Sequence, residues 1–401
     1  MYIGIICEFD PLHSGHARLL SHARAMGADA VICAMSGNFT QRGSFAALDK
    51  RARAEMAVRC GADLVVELPT VWAMSPAETF ARGGVQLLAL TGVDTLLFGS
   101  ECGELSALRR LADCLDSPAF ADRLTAADSG ATFAVRRQRA AAALLGDADA
   151  ALLESPNNTL AVEYLRALRR TGASMTPATL LRTGAAHDGA PEGGTASASY
   201  LRQLLRQGQG EAACGFTPPE AADILRRELS RGRVTDSALC ERAVLSRLRV
   251  MTEEDWRGYD PGGEGLYHRL YQAARSACTV DGLLSAAKTK RYPLARLRRM
   301  ALAAYLQLPP VPGYTAPAPV PAQVPYIRVL AATAAGRAHL RRLRDTGAPV
   351  LTKPADVSSL GADAAVLFAL EGRCTDLYVL ARPDLTQSAP GQDYRTTPVM
   401  V

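Results

Sequence analysis

The first hundred residues alternate short apolar runs with stretches of helical periodicity, and this alternation constrains the fold more than any other feature of the chain. The apolar runs are Tyr2 to Cys7, Ala30 to Met35, Asp63 to Leu68 and Asp94 to Phe98, each five or six residues long and rich in Val, Ile or Leu. Runs of this length without polar alternation suit strands covered on both faces, as in a parallel sheet. After the first run, Leu19, Ala23 and Met26 fall on one helical face, and Gly27 offers a stop. Another helix is predicted to start near Pro76, a favoured first-turn residue, and to run to about Leu90. A βαβαβ order implies right-handed crossovers and an α/β domain with a parallel sheet.

In such sheets ligands gather beyond the C-terminal strand ends, where loops lead into helix N-termini. His13-Ser14-Gly15-His16 stands at that place after the first strand. Gly15 lets a phosphate approach the backbone, first-turn N–H groups favour anions, and the i, i+3 spacing puts both imidazoles on one side. Two imidazole donors can follow the oxygens of a triphosphate as charge builds on them and on departing pyrophosphate. That suits attack on the α-phosphorus of ATP, giving an adenylate. Hydride transfer is not indicated: Gly4 is the only glycine before Gly15, so no G-x-G-x-x-G is present, and no Walker sequence occurs.

Other segments reach the same edge. Met35 to Gly43 follows the second strand, and Asp49 and Lys50 come soon after; Lys50 is expected to neutralise phosphate charge. Phe98-Gly99-Ser100-Glu101 ends the fourth strand, where Gly99 is expected to let adenine or ribose lie against the backbone.

Residues 103–175 read as mainly helical with a break at Ser155-Pro156-Asn157-Asn158, and Met175 to Leu181 reads as a strand despite Pro177. A Gly, Ala and Ser-rich loop at 184–195 leads to a helix start at Ser197. Residues 218–306 are helical in pattern throughout. Pro309 to Pro325 holds seven prolines and reads as a semi-rigid connector. These features divide the chain into residues 1–210 with the candidate nucleotide site, a helical, basic domain at 211–308, the linker at 309–325, and a small mixed C-terminal module at 326–401.

The helical domain carries Lys288, Lys290, Arg291, Arg296, Arg298 and Arg299, six cations in twelve residues with no acid among them. Leu294, Leu297, Ala301 and Tyr305 form an apolar stripe at helical spacing, so the cations are expected to face outward as an RNA-backbone site. The net charge of +5 is too mild to name a partner by itself. No pair among the nine cysteines has C-x-x-C spacing, so neither a zinc site nor a redox dithiol is expected. The N-terminus lacks a basic leader segment and no apolar stretch approaches the ~20 residues of a membrane span. Cytoplasmic residence without a membrane or protein partner is therefore expected.

Together these motifs resemble the bacterial tRNA(Met) cytidine acetate ligase family, a branch of the H-x-G-H nucleotidyltransferase superfamily. The resemblance rests on Glu8 to His16, Met35 to Gly43 with Asp49-Lys50, Gly61 to Pro69, Ser75 to Ala81 and Phe98 to Glu101. It continues through Pro156 to Leu160, Ser197 to Arg202, and Lys288 to Tyr292 with Arg296. It implies a Rossmann-like nucleotidyltransferase domain, ATP with Mg²⁺, acetate as second substrate, acetyl-adenylate as intermediate, and N4-acetylation of the wobble cytidine of elongator tRNA(Met). It also implies ATP contacts at Ile6, Cys7, Glu8, Phe9, Asp10, Pro11, His13, Ser14, Gly15, His16, Leu19, Gly99, Asn157 and Arg182, with His13, His16 and Lys50 catalytic. The family usually has Asn-Pro-Phe-His where this chain has Asp10-Pro11-Leu12-His13, so a carboxylate is added beside the phosphates, able to repel them or to hold Mg²⁺. H-x-G-H alone also permits a small-molecule adenylyl- or cytidylyltransferase, or a non-catalytic RNA-binding protein with a relict nucleotide site.

Overall fold

The computed structural model describes residues 1–126, 130–182, 195–260, 265–309 and 321–401. All but the last residue of the loop expected at 184–195, and most of the proline-rich connector, lie outside the described residues.

The described residues form ten strands: β1 Tyr2–Cys7, β2 Ala30–Ser36, β3 Phe39–Thr40, β4 Ser44–Phe45, β5 Leu64–Leu68, β6 Thr95–Ser100, β7 Thr176–Leu181, β8 Ile327–Ala332, β9 Val350–Leu351 and β10 Val399–Met400. The main sheet has the order β10-β8-β5-β2-β1-β6-β7, with β9 beside β8, while β3 and β4 make a separate hairpin. Every pairing in the main sheet is parallel except β5 with β8. All five strands read from the sequence, the four leading runs and Met175 to Leu181, are present. Pro177 is tolerated because β7 is an edge strand, which needs hydrogen bonds on one side only.

Alternation along the strands builds two cores. Ile3, Ile5, Val31, Cys33, Met35, Val65 and Leu97 face α1 (Ser14–Ala25), α2 (Lys50–Arg59) and the helix Pro219–Ser230. Ile6, Ile32, Ala34, Val66, Leu96 and Phe98 face the helices Ala77–Leu90 and Pro156–Thr171. Burial on both faces explains the unbroken apolar runs.

Two stretches set apart in the sequence reading pack against the sheet. The helix Pro219–Ser230, placed with the helical domain, packs into the core under α2. The stretch after residue 326, set apart as a module, carries β8, which pairs with β5 and covers an edge that would otherwise stand open. The proline-rich interval hid this pairing, because a non-local antiparallel strand leaves no local signal.

The strand order reverses at β1, which lies between β2 and β6. The loops leaving β1 and β6 therefore diverge above the sheet and open a crevice at its C-terminal edge. His13, Gly99 and Arg182 follow β1, end β6 and follow β7 respectively, so all three belong to this edge.

Candidate active site

His13 is the N-cap of α1, in extended conformation at φ −132° and ψ 173°. Its Nδ1 accepts the Gly15 N–H at 3.1 Å, and the His16 Nδ1 accepts the His13 N–H at 3.4 Å. This reciprocal capping box, with imidazoles in place of the usual hydroxyl and carboxylate, stacks the rings at 3.8 Å between centroids and 30° between planes. The expected tetrad is thus a single built unit. Gly15 is required by space: a Cβ there would lie 2.9 Å from the His13 Cε1.

The protonation state follows. Burial lowers the His13 pKa to about 4, helped by the charges of Arg182 and Arg202. Burial, its His13 neighbour and the same two arginines push His16 well below its ordinary value. Both rings are neutral at pH 7. Each Nδ1 is occupied as an acceptor, so each proton sits on Nε2, and each ring carries an Nε2–H donor.

One expectation is corrected here. The first-turn N–H groups of α1 are not free for an anion: Ser14 N–H goes to the Phe216 carbonyl at 3.2 Å, Gly15 N–H to His13 Nδ1, and His16 N–H to the His13 carbonyl at 2.9 Å. Ser14 Oγ is also tied to the Phe216 carbonyl, at 3.0 Å. An anion at this helix end would meet side chains and the helix dipole. Arg182 lies over Gly99, where a Cβ would meet its Cγ at 3.2 Å; the bare Gly99 backbone is covered by this arginine. Arg202, on the helix Ala198–Arg206, donates to the Asp10 carbonyl at 2.7 Å.

The loop Glu8 to Pro11 is held from several directions. Glu8 Oε1 accepts from Gln41 N–H at 2.7 Å and from Ser36 Oγ at 3.3 Å, while burial raises its pKa. Asp10 Oδ1 accepts the Ala47 N–H at 2.6 Å; its Oδ2 is buried with no hydrogen-bond partner, 3.5 Å from Arg202. Phe9, at φ 47°, meets the His16 ring edge-on, and the Asp10–Pro11 peptide is cis. Ile6 and Cys7 are buried strand residues, Pro11 is buried, and Leu19 is half-buried on α1. Asn157 begins the helix Pro156–Thr171. Its N–H and Nδ2 both donate to Glu101 Oε1, Asn158 N–H donates to Glu101 Oε2, and Asn158 Oδ1 accepts from Glu101 N–H. This exchange fixes the β6 loop to that helix.

Lys50 is corrected as well. It is 1% exposed, with Nζ 2.7 Å from Glu67 and 2.8 Å from Asp393, so its charge is already matched inside the protein. Arg328 completes the cluster, 3.0 Å from Glu67 and 3.1 Å from Asp393. Lys50 ties α2 to the C-terminal residues through these pairs.

The basic run divides in two. Lys288, Lys290, Arg291 and Arg298 are exposed. Arg296 is half-buried and pairs with Asp260 at 3.1 Å, an acid distant in sequence; Arg299 donates to the Gln41 carbonyl at 3.2 Å. The helix Leu294–Leu306 buries Leu297, Ala301 and Tyr305 as its stripe implies. Gly43, at φ 74°, lies against this helix so closely that a Cβ would be 2.5 Å from the Arg299 nitrogen. Tyr292 is buried beneath Arg296, whose guanidinium is 5.5 Å from the ring centroid.

Sequence reasoning gave no role to Arg53 or Arg202. Arg53 is fully buried and donates to the carbonyls of Glu8, Gly37 and Leu48, clamping the loops after β1 and β2 to α2. The signal lay in Arg53 standing three residues after Lys50 on one helix, but an arginine is ordinarily read as exposed.

Known proteins resemble this chain in sequence and in fold. The family described as HIGH Nucleotidyl Transferase matches residues 1–393. The tRNA(Met) cytidine acetate ligase of Syntrophotalea carbinolica is 38% identical over 85% of this chain and 82% of its own. That of Syntrophomonas wolfei is 33% identical over 99% of both chains. Crystal structures of Thermotoga maritima TmcAL superpose over 100% of this chain and 99% of theirs. The apo form gives a TM-score of 0.93 at 29% identity, and the form bound with alpha-thio ATP gives 0.90 at 28%.

Proposed function

Because the chain belongs to the tRNA(Met) cytidine acetate ligase family of HIGH nucleotidyl transferases, we propose that it activates acetate with ATP and acetylates N4 of the wobble cytidine of elongator tRNA(Met). The observation that carries this reading is the stacked, neutral pair His13 and His16, with Arg182 and Arg202 close enough to depress both pKa values.

In the first step an acetate oxygen bonds to the α-phosphorus and the bond to pyrophosphate breaks. Acetate is already ionised at pH 7, so no general base is needed. The need is for alignment and for stabilisation of charge on non-bridging and leaving oxygens. The two Nε2–H groups supply neutral donors, and Arg182 and Arg202 supply positive charge. Ile6 to Leu19, Gly99 and Asn157 would frame the nucleotide, with Arg53 and Glu101 holding their loops. Mg²⁺ would arrive on the triphosphate and screen its charge; Asp10 Oδ2, buried without a hydrogen-bond partner, is an oxygen able to meet it.

In the second step the cytidine N4 attacks the acetyl carbonyl, AMP leaves, and the amine gives up one proton. The base must be unstacked to reach the adenylate. Lys288, Lys290, Arg291 and Arg298 would hold the backbone phosphates, while Arg296 and Arg299 shape the helix that presents them. A tRNA substrate implies a cytoplasmic protein, in keeping with nine free thiols; among the described residues no helix is long and apolar enough to cross a membrane.

The test is incubation with ATP, labelled acetate and elongator tRNA(Met), followed by mass spectrometry of the nucleosides. Acetylcytidine at the wobble position is the expected product. Unmodified tRNA at every enzyme concentration rejects the reading.

A further inference from the structure

Away from the histidine pair, a cleft of about 360 Å³ opens between α2 and the C-terminal end of the helix Pro219–Ser230. Arg51, Arg227, Arg231, Arg233 and Arg382 line it. Three carboxylates on its wall, with Asp393 at 3.3 Å from Arg51, answer only part of that charge. Arg227 is held by Glu55 and by Glu228, each at 2.8 Å, and Arg382 by Asp49 at 3.0 Å. Arg231 reaches Glu228 only at 4.0 Å, and Arg233 donates to the neutral Gln387 Oε1 at 2.8 Å.

A second observation marks the cleft as a binding site and not merely a paired surface. Arg382 is 3% exposed, and its Nε is buried with no hydrogen-bond partner. Its other two nitrogens are committed, Nη1 to the Gln387 carbonyl at 2.6 Å and Gln392 Oε1 at 3.3 Å and Nη2 to Asp49 Oδ2, so the charge left over in the cleft is that of Arg231 and Arg233. Guanidinium groups match phosphate oxygens in geometry as well as charge. The cleft is also joined to the nucleotide edge through one residue. Ala47 donates its N–H to Asp10 Oδ1 at 2.6 Å, and its carbonyl accepts the N–H of Thr235, two residues beyond Arg233, at 2.8 Å.

We propose that this arginine-lined cleft is a second phosphate site, separate from the triphosphate site. Its ligand is either a backbone phosphate of bound tRNA, which rests on the functional reading above, or a free ion such as pyrophosphate.

The experiment uses the full chain with alpha-thio ATP saturating the nucleotide site. The wild type is compared with the double variants Arg231→Gln/Arg233→Gln and Arg231→Lys/Arg233→Lys. Inorganic pyrophosphate is titrated by calorimetry, and elongator tRNA(Met) by filter binding across a salt series. A fivefold or greater loss of tRNA affinity in the Gln variant, with a shallower salt dependence and recovery in the Lys variant, supports the site and identifies tRNA as the source. Loss of pyrophosphate binding with tRNA affinity unchanged supports it with the free ion as ligand. If tRNA does not bind the wild type, the functional reading fails while the pyrophosphate titration still decides the cleft. Equal affinities in all three proteins for both probes, at equal melting temperature, overturn the proposal, as does an absence of binding by either probe.

Discussion

Arg299 donates a guanidinium N–H to the Gln41 carbonyl at 3.2 Å, and the N–H of Gln41 is donated in turn to Glu8 Oε1 at 2.7 Å. One residue, Gln41, thus links the basic helix to the loop that carries the histidine pair, and Gly43 allows the close approach. Replacing Arg299 by Met keeps an aliphatic stem and removes the donor. Stability should fall by about 1 kcal/mol. Acetyl transfer to tRNA should fall more than ATP–pyrophosphate exchange, because the helix is displaced while the histidines remain. Equal losses in the two assays would argue that the link serves folding alone.

Gly15→Ala should act on the ring and not on the fold. The new Cβ would lie 2.9 Å from the His13 Cε1 and 3.1 Å from its Nδ1, so the imidazole must rotate out of its stack. Loss of tenfold or more in exchange rate, with a melting temperature within a few degrees of wild type, is expected. Denaturation curves run beside the exchange assay separate the two effects.

The pH dependence has a definite sign. The His13 pKa falls from 6.5 to about 4 on folding, so the unfolded chain binds the proton more tightly. Its contribution to stability is complete above pH 6.5 and is lost as pH falls toward 4, by about 3 kcal/mol for this group. A bound triphosphate, being anionic, should raise the pKa of both imidazoles and draw protons from buffer on the acid side of neutrality. Calorimetry of ATP binding at pH 6 in buffers of different ionisation enthalpy reads this uptake directly; release of protons would contradict the assignment of neutral rings.

Lys50→Met leaves Glu67 and Asp393 with less buried positive charge than they share now. Removing one partner from such a cluster costs about 3–5 kcal/mol. The variant should therefore lose stability first, measured by thermal or urea unfolding. Whatever fraction stays folded should retain the wild-type KM for ATP. A normal melting temperature with ATP binding lost would return Lys50 to the phosphates.

The parts of this protein legible in its sequence are those with local signals. The four leading strands show as apolar runs because both faces of the sheet are covered, and the histidine turn shows because a strand and a helix frame it. Lys50 misled because a lysine is ordinarily solvated, and its partners Glu67 and Asp393 come from distant parts of the chain. Arg296 misled for the same reason: the run around it lacks acids, yet Asp260 reaches it in space. Of the N–H groups expected to be free at α1, that of Ser14 is taken by the carbonyl of Phe216, 202 positions away, and those of Gly15 and His16 by His13. Pairings over such separations leave no periodicity to read.

The central claim is that the His13 and His16 pair directs a carboxylate against the α-phosphorus of ATP. Exchange of labelled pyrophosphate into ATP, with and without acetate, measures this step alone. Exchange should require acetate and fall at least a hundredfold in both His13→Ala and His16→Ala. Exchange that proceeds without acetate, or that survives in both variants, would contradict it.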